Sequence, residues 1–218
     1  MRHIELKSHR KGDTPLSIGK CFEGKRNVPN LIRRKNMFTQ TRYDSDRLYL
    51  RIMKPNSASE VLDYYKRNHS FLSEWEPKHP RDFYTLSYHK RKLNTEYGMF
   101  KDKSLVRFWI IKKDDNKLIG NVCYSNIIMG NFKSCFLGYK LDKDEINKGY
   151  MTEAIKRTVK IMFDDFELHR IEANVVPRNS RSLKVMEKLG FEKEGLSKRY
   201  LEINGKWEDH IHFAVYND

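Results

Sequence analysis

The chain has 218 residues, 39% of them hydrophobic, enough for one mid-sized domain with a core of its own. Three scattered cysteines, Cys21, Cys123 and Cys135, set aside a disulfide framework and a structural zinc site, and no apolar run reaches the ~18 residues of a membrane span. A net charge of +14 favours polyanions such as RNA or nucleotide phosphates, and half of the excess sits in residues 1–36, with 10 basic and 3 acidic side chains.

Residues 1–36 are rich in turn formers and hold no sustained helical or strand period. They read as a basic, mobile N-terminal extension, and they lack the apolar segment of a secretory signal. The expected protein is soluble and cytoplasmic, with one domain over 37–218. Alternation in "RLYLRIM" predicts a strand over 47–53, followed by helices over 58–72 and 84–99 that the prolines of "SEWEPKHP" keep apart. β-Branched and aromatic runs predict strands over 105–113, 117–128 and 132–141. Cys123 and Cys135 stand symmetrically about Met129, so they are expected to face each other as buried thiols.

A helix over 150–166 carries an apolar stripe at Met151, Ala154, Ile155, Val159, Met162, Phe163 and Phe166. A strand over 170–176 and a short helix ending at Gly190 follow. Asn204-Gly205 then joins two last strands through a type I′ turn. The order β, αα, βββ, α, β, α, ββ gives an α/β domain on a mixed, mostly antiparallel seven-stranded sheet with about four helices.

The order of these elements and the words "FLSEWEP", "FLGYKL", "NKGYMTEA", "HRIEANVVPRNSRSLKVMEKLGFEKEG" and "YLEINGKWEDH" resemble the GNAT family of acetyl-CoA-dependent N-acetyltransferases. Within it the chain is most similar to the RimJ/RimL-type enzymes that acetylate the N-terminal residue of ribosomal proteins. The likeness implies acetyl-CoA as co-substrate. It places a pyrophosphate-binding turn at Ile146, Asn147, Lys148, Gly149, Tyr150, Met151 and Thr152, where helix N-terminal amides meet the anion. Gly149 alone matches the family's loop strictly. Ile146 and Met151 replace its polar first and small last residues, leaving the contact to backbone amides. Asn147 tolerates the positive φ that such a turn needs.

By the same likeness, main-chain groups of Tyr139, Lys140 and Leu141 receive the pantetheine arm, and one of them polarises the thioester carbonyl. Asn179 contacts coenzyme A. Ser182 protonates the leaving thiolate, because Met186 stands where many GNAT enzymes carry a tyrosine. The base is open between Glu76 and the Glu208-Asp209 pair, with Glu76 the stronger candidate. Trp75, Trp207 and Asp209 are candidate acceptor-binding residues. His169 and His210 lack ligand companions at sensible spacing and read as hydrogen-bonding residues, so no metal is expected.

The implied partner is a protein N-terminus, on a ribosomal protein or the ribosome, with RNA contact through the basic surface and a monomeric or homodimeric state. Two rivals stay open: a small amine, polyamine or antibiotic acceptor drawn to acids at Glu74, Glu76, Glu208 and Asp209, and a basic RNA-associated protein with a vestigial coenzyme site.

Overall fold

The structure is a computed structural model that describes residues 40–217; the extension expected over 1–36, with Cys21, lies outside them. Among the described residues eight strands form one sheet: β1 (Arg42–Asp44), β2 (Leu48–Arg51), β3 (Val106–Lys112), β4 (Leu118–Ile128), β5 (Ser134–Leu141), β6 (Arg170–Val175), β7 (Glu192–Ile203) and β8 (Lys206–Tyr216). The helices are α1 (Ala58–Arg67), α2 (His69–Leu72), α3 (Leu86–Lys101), α4 (Tyr150–Asp164) and α5 (Ser180–Lys188). The strand order is β1-β2-β3-β4-β5-β6-β8-β7, antiparallel throughout except for β5–β6.

This is the expected mixed, mostly antiparallel α/β architecture with one strand and one helix more. The extra strand, β1, is three residues long, too short for alternation to show in sequence. The extra helix arises at Asn68, which leaves helical geometry at φ −106°, ψ 6° and splits the run expected over 58–72. Its buried side chain explains the break: Nδ2 donates to the Tyr64 carbonyl at 3.0 Å, and Oδ1 accepts from the Lys143 amide at 3.0 Å.

Both faces of the central strands are covered, which is why β3 reads as nearly continuous apolar sequence. Val106, Phe108 and Ile110 join the main core beneath α4 and α5, while Trp109 and Ile111 join a second cluster beneath α1 and α3. On α4 the expected Met151, Ala154, Ile155 and Met162 are buried, with Val159 and Phe163 packed beside them. Ile161 and Thr158 complete the face. Thr158 is tolerated there because its hydroxyl donates to the Ala154 carbonyl at 2.8 Å and lies 2.9 Å from the Tyr124 hydroxyl.

One expectation fails. Cys123 and Cys135 are buried and free, but the β4–β5 register sets Cys123 opposite Gly138. Cys135 belongs to the main core, whereas Cys123 neighbours Arg107 and Glu96 beneath α3. The hairpin turns about Asn131, with Ile128 opposite Ser134, so symmetry about Met129 does not bring the two cysteines face to face.

Two features position the site. Pairing of β5 with β6 runs from Ser134↔Arg170 to Leu137↔Ala173 and stops, while Gly138 to Leu141 continue to pair with β4. The edge of β5 that faces β6 is therefore open over its last four residues. At the other end of the chain, Asn204 (φ 49°) and Gly205 (φ 85°) make the expected two-residue turn between β7 and β8. The Asn204 amide donates to the Glu76 carbonyl at 3.2 Å, so the hairpin tip braces the segment after α2.

Candidate active site

A cavity of about 630 Å³ opens between the end of β5, the turn before α4, the start of α5 and the segment after α2. Its size is that of a ligand pocket. Tyr139, Lys140 and Leu141 form one wall; Ile146, Asn147, Gly149, Met151 and Thr152 form the next. Asn179 and Ser182 close it from α5, and Trp75 and Glu76 from the opposite side. The structure thus brings together twelve of the residues singled out from sequence. Five other site candidates do not line it: Lys148, whose ammonium turns to Glu145 Oε2 at 3.0 Å, Tyr150, Trp207, Glu208 and Asp209.

The turn before α4 has the geometry its sequence allows. Asn147 (φ 60°) and Gly149 (φ 81°) both adopt left-handed backbone, and Gly149 is the N-cap of α4. A glycine cap offers no side chain to the first helical amides, which leaves them available to an anion. Ile146 and Met151 leave this arrangement intact, since it uses no side chain of theirs.

The turn is clamped from outside by residues that sequence reasoning missed. Glu153, in the first turn of α4, accepts from the Ser45 hydroxyl at 2.7 Å, the Arg47 amide at 2.8 Å and Arg47 Nε at 2.7 Å. Burial tends to raise the Glu153 carboxyl, but these donors outweigh it and hold the group below its ordinary value. Arg47 also donates to the Lys148 carbonyl at 3.1 Å and lies 4.4 Å over the Tyr150 ring. Asp142, fully buried, secures the turn's other end: it accepts from Arg67 Nε at 2.8 Å and caps the Asp144 amide at 3.1 Å. Burial would raise its carboxyl too, yet Arg67 and the Asp144 amide hold it low.

On α5, Asn179 acts as N-cap, its Oδ1 accepting from the Ser182 amide at 3.1 Å, and it also lines the cavity. The Ser182 hydroxyl is hydrogen-bonded to the Tyr139 phenol, whose oxygen is also 3.3 Å from the Ser182 carbonyl. Burial pushes the Tyr139 phenol up to about 12, against a lowering by Ser182. Met186 is buried in the core and has no proton to give. Three cations, Arg181, Lys184 and Lys188, line the cavity from the same helix. Their spacing of three and four residues put them on one face, a signal readable from sequence.

Glu76 is buried and, among the described residues, the one acid lining the cavity. Its carboxylate is paired on both sides, with the Lys140 ammonium and with His79 Nε2 at 2.8 Å. Burial lowers the His79 imidazole despite that carboxylate, so the ring is neutral near pH 7. Of the remaining acids, Glu74 and Glu208 both pair with Arg178, at 2.7 and 3.3 Å. Arg178 in turn covers the Trp75 ring at 4.5 Å. Asp209 accepts from the Arg199 amide at 2.8 Å, and Trp207 is largely exposed. His169 and His210 make hydrogen bonds to main-chain carbonyls. Among the described residues no group of three or more His, Cys, Asp or Glu side chains converges as a metal site would require.

An open strand edge, an anion-ready helix start and a serine hydroxyl on one cavity suit a thioester of a long phosphorylated thiol. Comparison with known proteins agrees. The chain is 36% identical over 176 residues to the [ribosomal protein uS5]-alanine N-acetyltransferase of Escherichia coli (strain K12), covering 81% of this chain and 91% of that one. The crystal structure of ribosomal-protein-S5-alanine acetyltransferase from Vibrio fischeri superposes with a TM-score of 0.79 at 38% identity, covering 82% of this chain and 98% of that one. Mycobacterium smegmatis RimJ, solved in complex with CoA-disulfide, superposes at 0.73 with 27% identity, covering 78% and 81%. The family described as acetyltransferase (GNAT) domain matches residues 47–192, more than half of the sequence, and the chain belongs to that family of N-acetyltransferases.

Proposed function

We propose that this GNAT enzyme transfers acetyl from acetyl-CoA to the N-terminal α-amine of a protein, with a ribosomal protein as the preferred acceptor and the cytoplasm as its place of action. The carrying observation is the open edge of β5 ending beside Ser182 in the cavity described above. First-turn amides of α4 hold the pyrophosphate, and Arg181, Lys184 and Lys188 supply cations for further phosphate charge. Unpaired main-chain groups of Tyr139, Lys140 and Leu141 align the pantetheine arm. An amide there polarises the thioester carbonyl and holds the oxyanion as the amine attacks.

The amine enters along Trp75 and Glu76. Glu76 receives its proton, and Ser182 protonates the departing thiolate. Demand on the base is modest, because an α-amine with pKa near 7.7–8 is about one-tenth neutral at pH 7. The relatives named as acting on ribosomal proteins support this acceptor class, and so does the pairing of Glu74, Glu76 and Glu208 with cations, which leaves little free acid to attract a polycation. The deciding experiment screens N-terminal peptides of ribosomal proteins against small amines and polyamines for acetyl-CoA-dependent transfer. Preference for peptides supports the reading. Preference for small amines overturns the acceptor, and salt-sensitive RNA binding without acetyl-CoA affinity overturns the enzyme.

A further inference from the structure

The transfer proposed above needs a proton at the departing sulfur, and a lone serine hydroxyl parts with its proton far less readily than a phenol. Ser182 is not alone. Its Oγ touches the Tyr139 phenol, which reaches it across the cavity from the end of β5. The Ser182 amide is tied to Asn179 Oδ1 at 3.1 Å, so the first turn of α5 holds the serine in place against that phenol. One helical turn on, Met186 is buried and apolar, so that position supplies no hydroxyl to Ser182.

We propose that Tyr139 is the positioning residue for Ser182: its phenol donates to Ser182 Oγ, aims the serine proton into the cavity, and replaces that proton as it leaves. The inference rests on the acetyl-transfer reading. In the step, the thioester C–S bond breaks and its electron pair goes to sulfur. Sulfur takes the proton of Ser182 Oγ, and Oγ takes the proton of the Tyr139 phenol. The phenolate is reprotonated from solvent, while the proton lost by the amine leaves on the opposite side. One N–C bond forms, one C–S bond breaks, and no net proton is consumed. Burial raises the phenol, so it stays protonated and able to donate to Ser182 Oγ across the working pH range.

The test uses the full chain with acetyl-CoA and the best peptide of the screen. Tyr139→Phe keeps the ring and its packing and removes only the hydroxyl. The expected result is a fall in kcat on the order of 10–100-fold, with acetyl-CoA affinity by calorimetry within about twofold of the parent. In a Ser182→Ala background the same change should cost nothing further, since the two hydroxyls act as one unit. In mixed H2O and D2O, the parent kcat should fall along a bowed curve, from two protons in flight, and the Phe variant along a straight line. Unchanged kcat in Tyr139→Phe, an additive loss in the double variant, or lost acetyl-CoA binding with native thermal stability would each overturn the proposal. A parent chain that transfers acetyl to no amine overturns the functional reading itself, and this inference with it.

Discussion

Ser182 and Gly149 carry the sharpest consequences at the scale of single residues. Ser182→Ala removes the hydroxyl that faces the cavity and keeps the backbone cap of α5, so kcat should drop by roughly 100-fold or more while calorimetric acetyl-CoA affinity holds. An unaltered kcat would strip Ser182 of its role. Gly149 is the reverse case. It sits at φ 81°, and a Cβ there would come within 3.4 Å of the Arg47 guanidinium. Gly149→Val forces a branched residue into left-handed backbone, a strain of about 1–3 kcal/mol, and pushes against the clamp. Acetyl-CoA binding should weaken by roughly tenfold or more, with kcat at saturation less affected.

At the scale of elements, the turn between β1 and β2 works on α4 through the Arg47–Glu153 contacts. Arg47→Ala should raise the KM for acetyl-CoA several-fold, roughly the effect of losing a half-exposed ion pair at about 1 kcal/mol. A kcat loss with constant KM would contradict this. Nothing local in the sequence marks the clamp, because Ser45 and Glu153 are 108 residues apart and meet only once the sheet forms. The left-handed turn before α4 was legible, since Asn147 and Gly149 are the residue types such backbone favours. So were seven of the eight strands, whose period two or apolar runs survive in sequence. The Tyr139–Ser182 contact was not, because it depends on where β5 leaves β6. The facing cysteines were misread because the turn is centred two residues beyond Met129, which the symmetric spacing of Cys123 and Cys135 does not reveal. Burial pushes both thiols up and keeps them protonated. In a Cys21→Ser chain, a thiol reagent at pH 8 should therefore titrate almost nothing until denaturant is added.

For the whole molecule, the residues assigned to the cavity, from Phe71 to Lys188, lie outside the basic first segment. A chain starting at Met37 keeps them and loses half of the net charge of +14. Its acetyl transfer to a free peptide should match the parent, while any RNA association weakens and loses part of its salt dependence. Stability against acid should depend on carboxyls held low in the fold. Glu153 is such a group: its contribution is fully present above the unfolded value near 4.3 and disappears as pH falls through the depressed folded one. The difference in Tm between the parent and Glu153→Gln should be constant from pH 7 to about 5 and shrink below that. A constant difference down to pH 3 would disprove the linkage.

The four open residues at the end of β5 also bear on how the protein keeps itself apart from its neighbours. A row of unpaired amides and carbonyls is a template for any extended segment, including one from another copy of the same chain. Under the proposed function the row lies inside the cleft that acetyl-CoA fills during work, so occupancy would protect against strand addition as well as enable chemistry. Preparations supplied with coenzyme A should melt higher, by the ordinary linkage of a ligand that binds only the folded form, and aggregate more slowly below the melting point. The cell's own pool of the carrier would then serve as a chaperone for the enzyme that uses it.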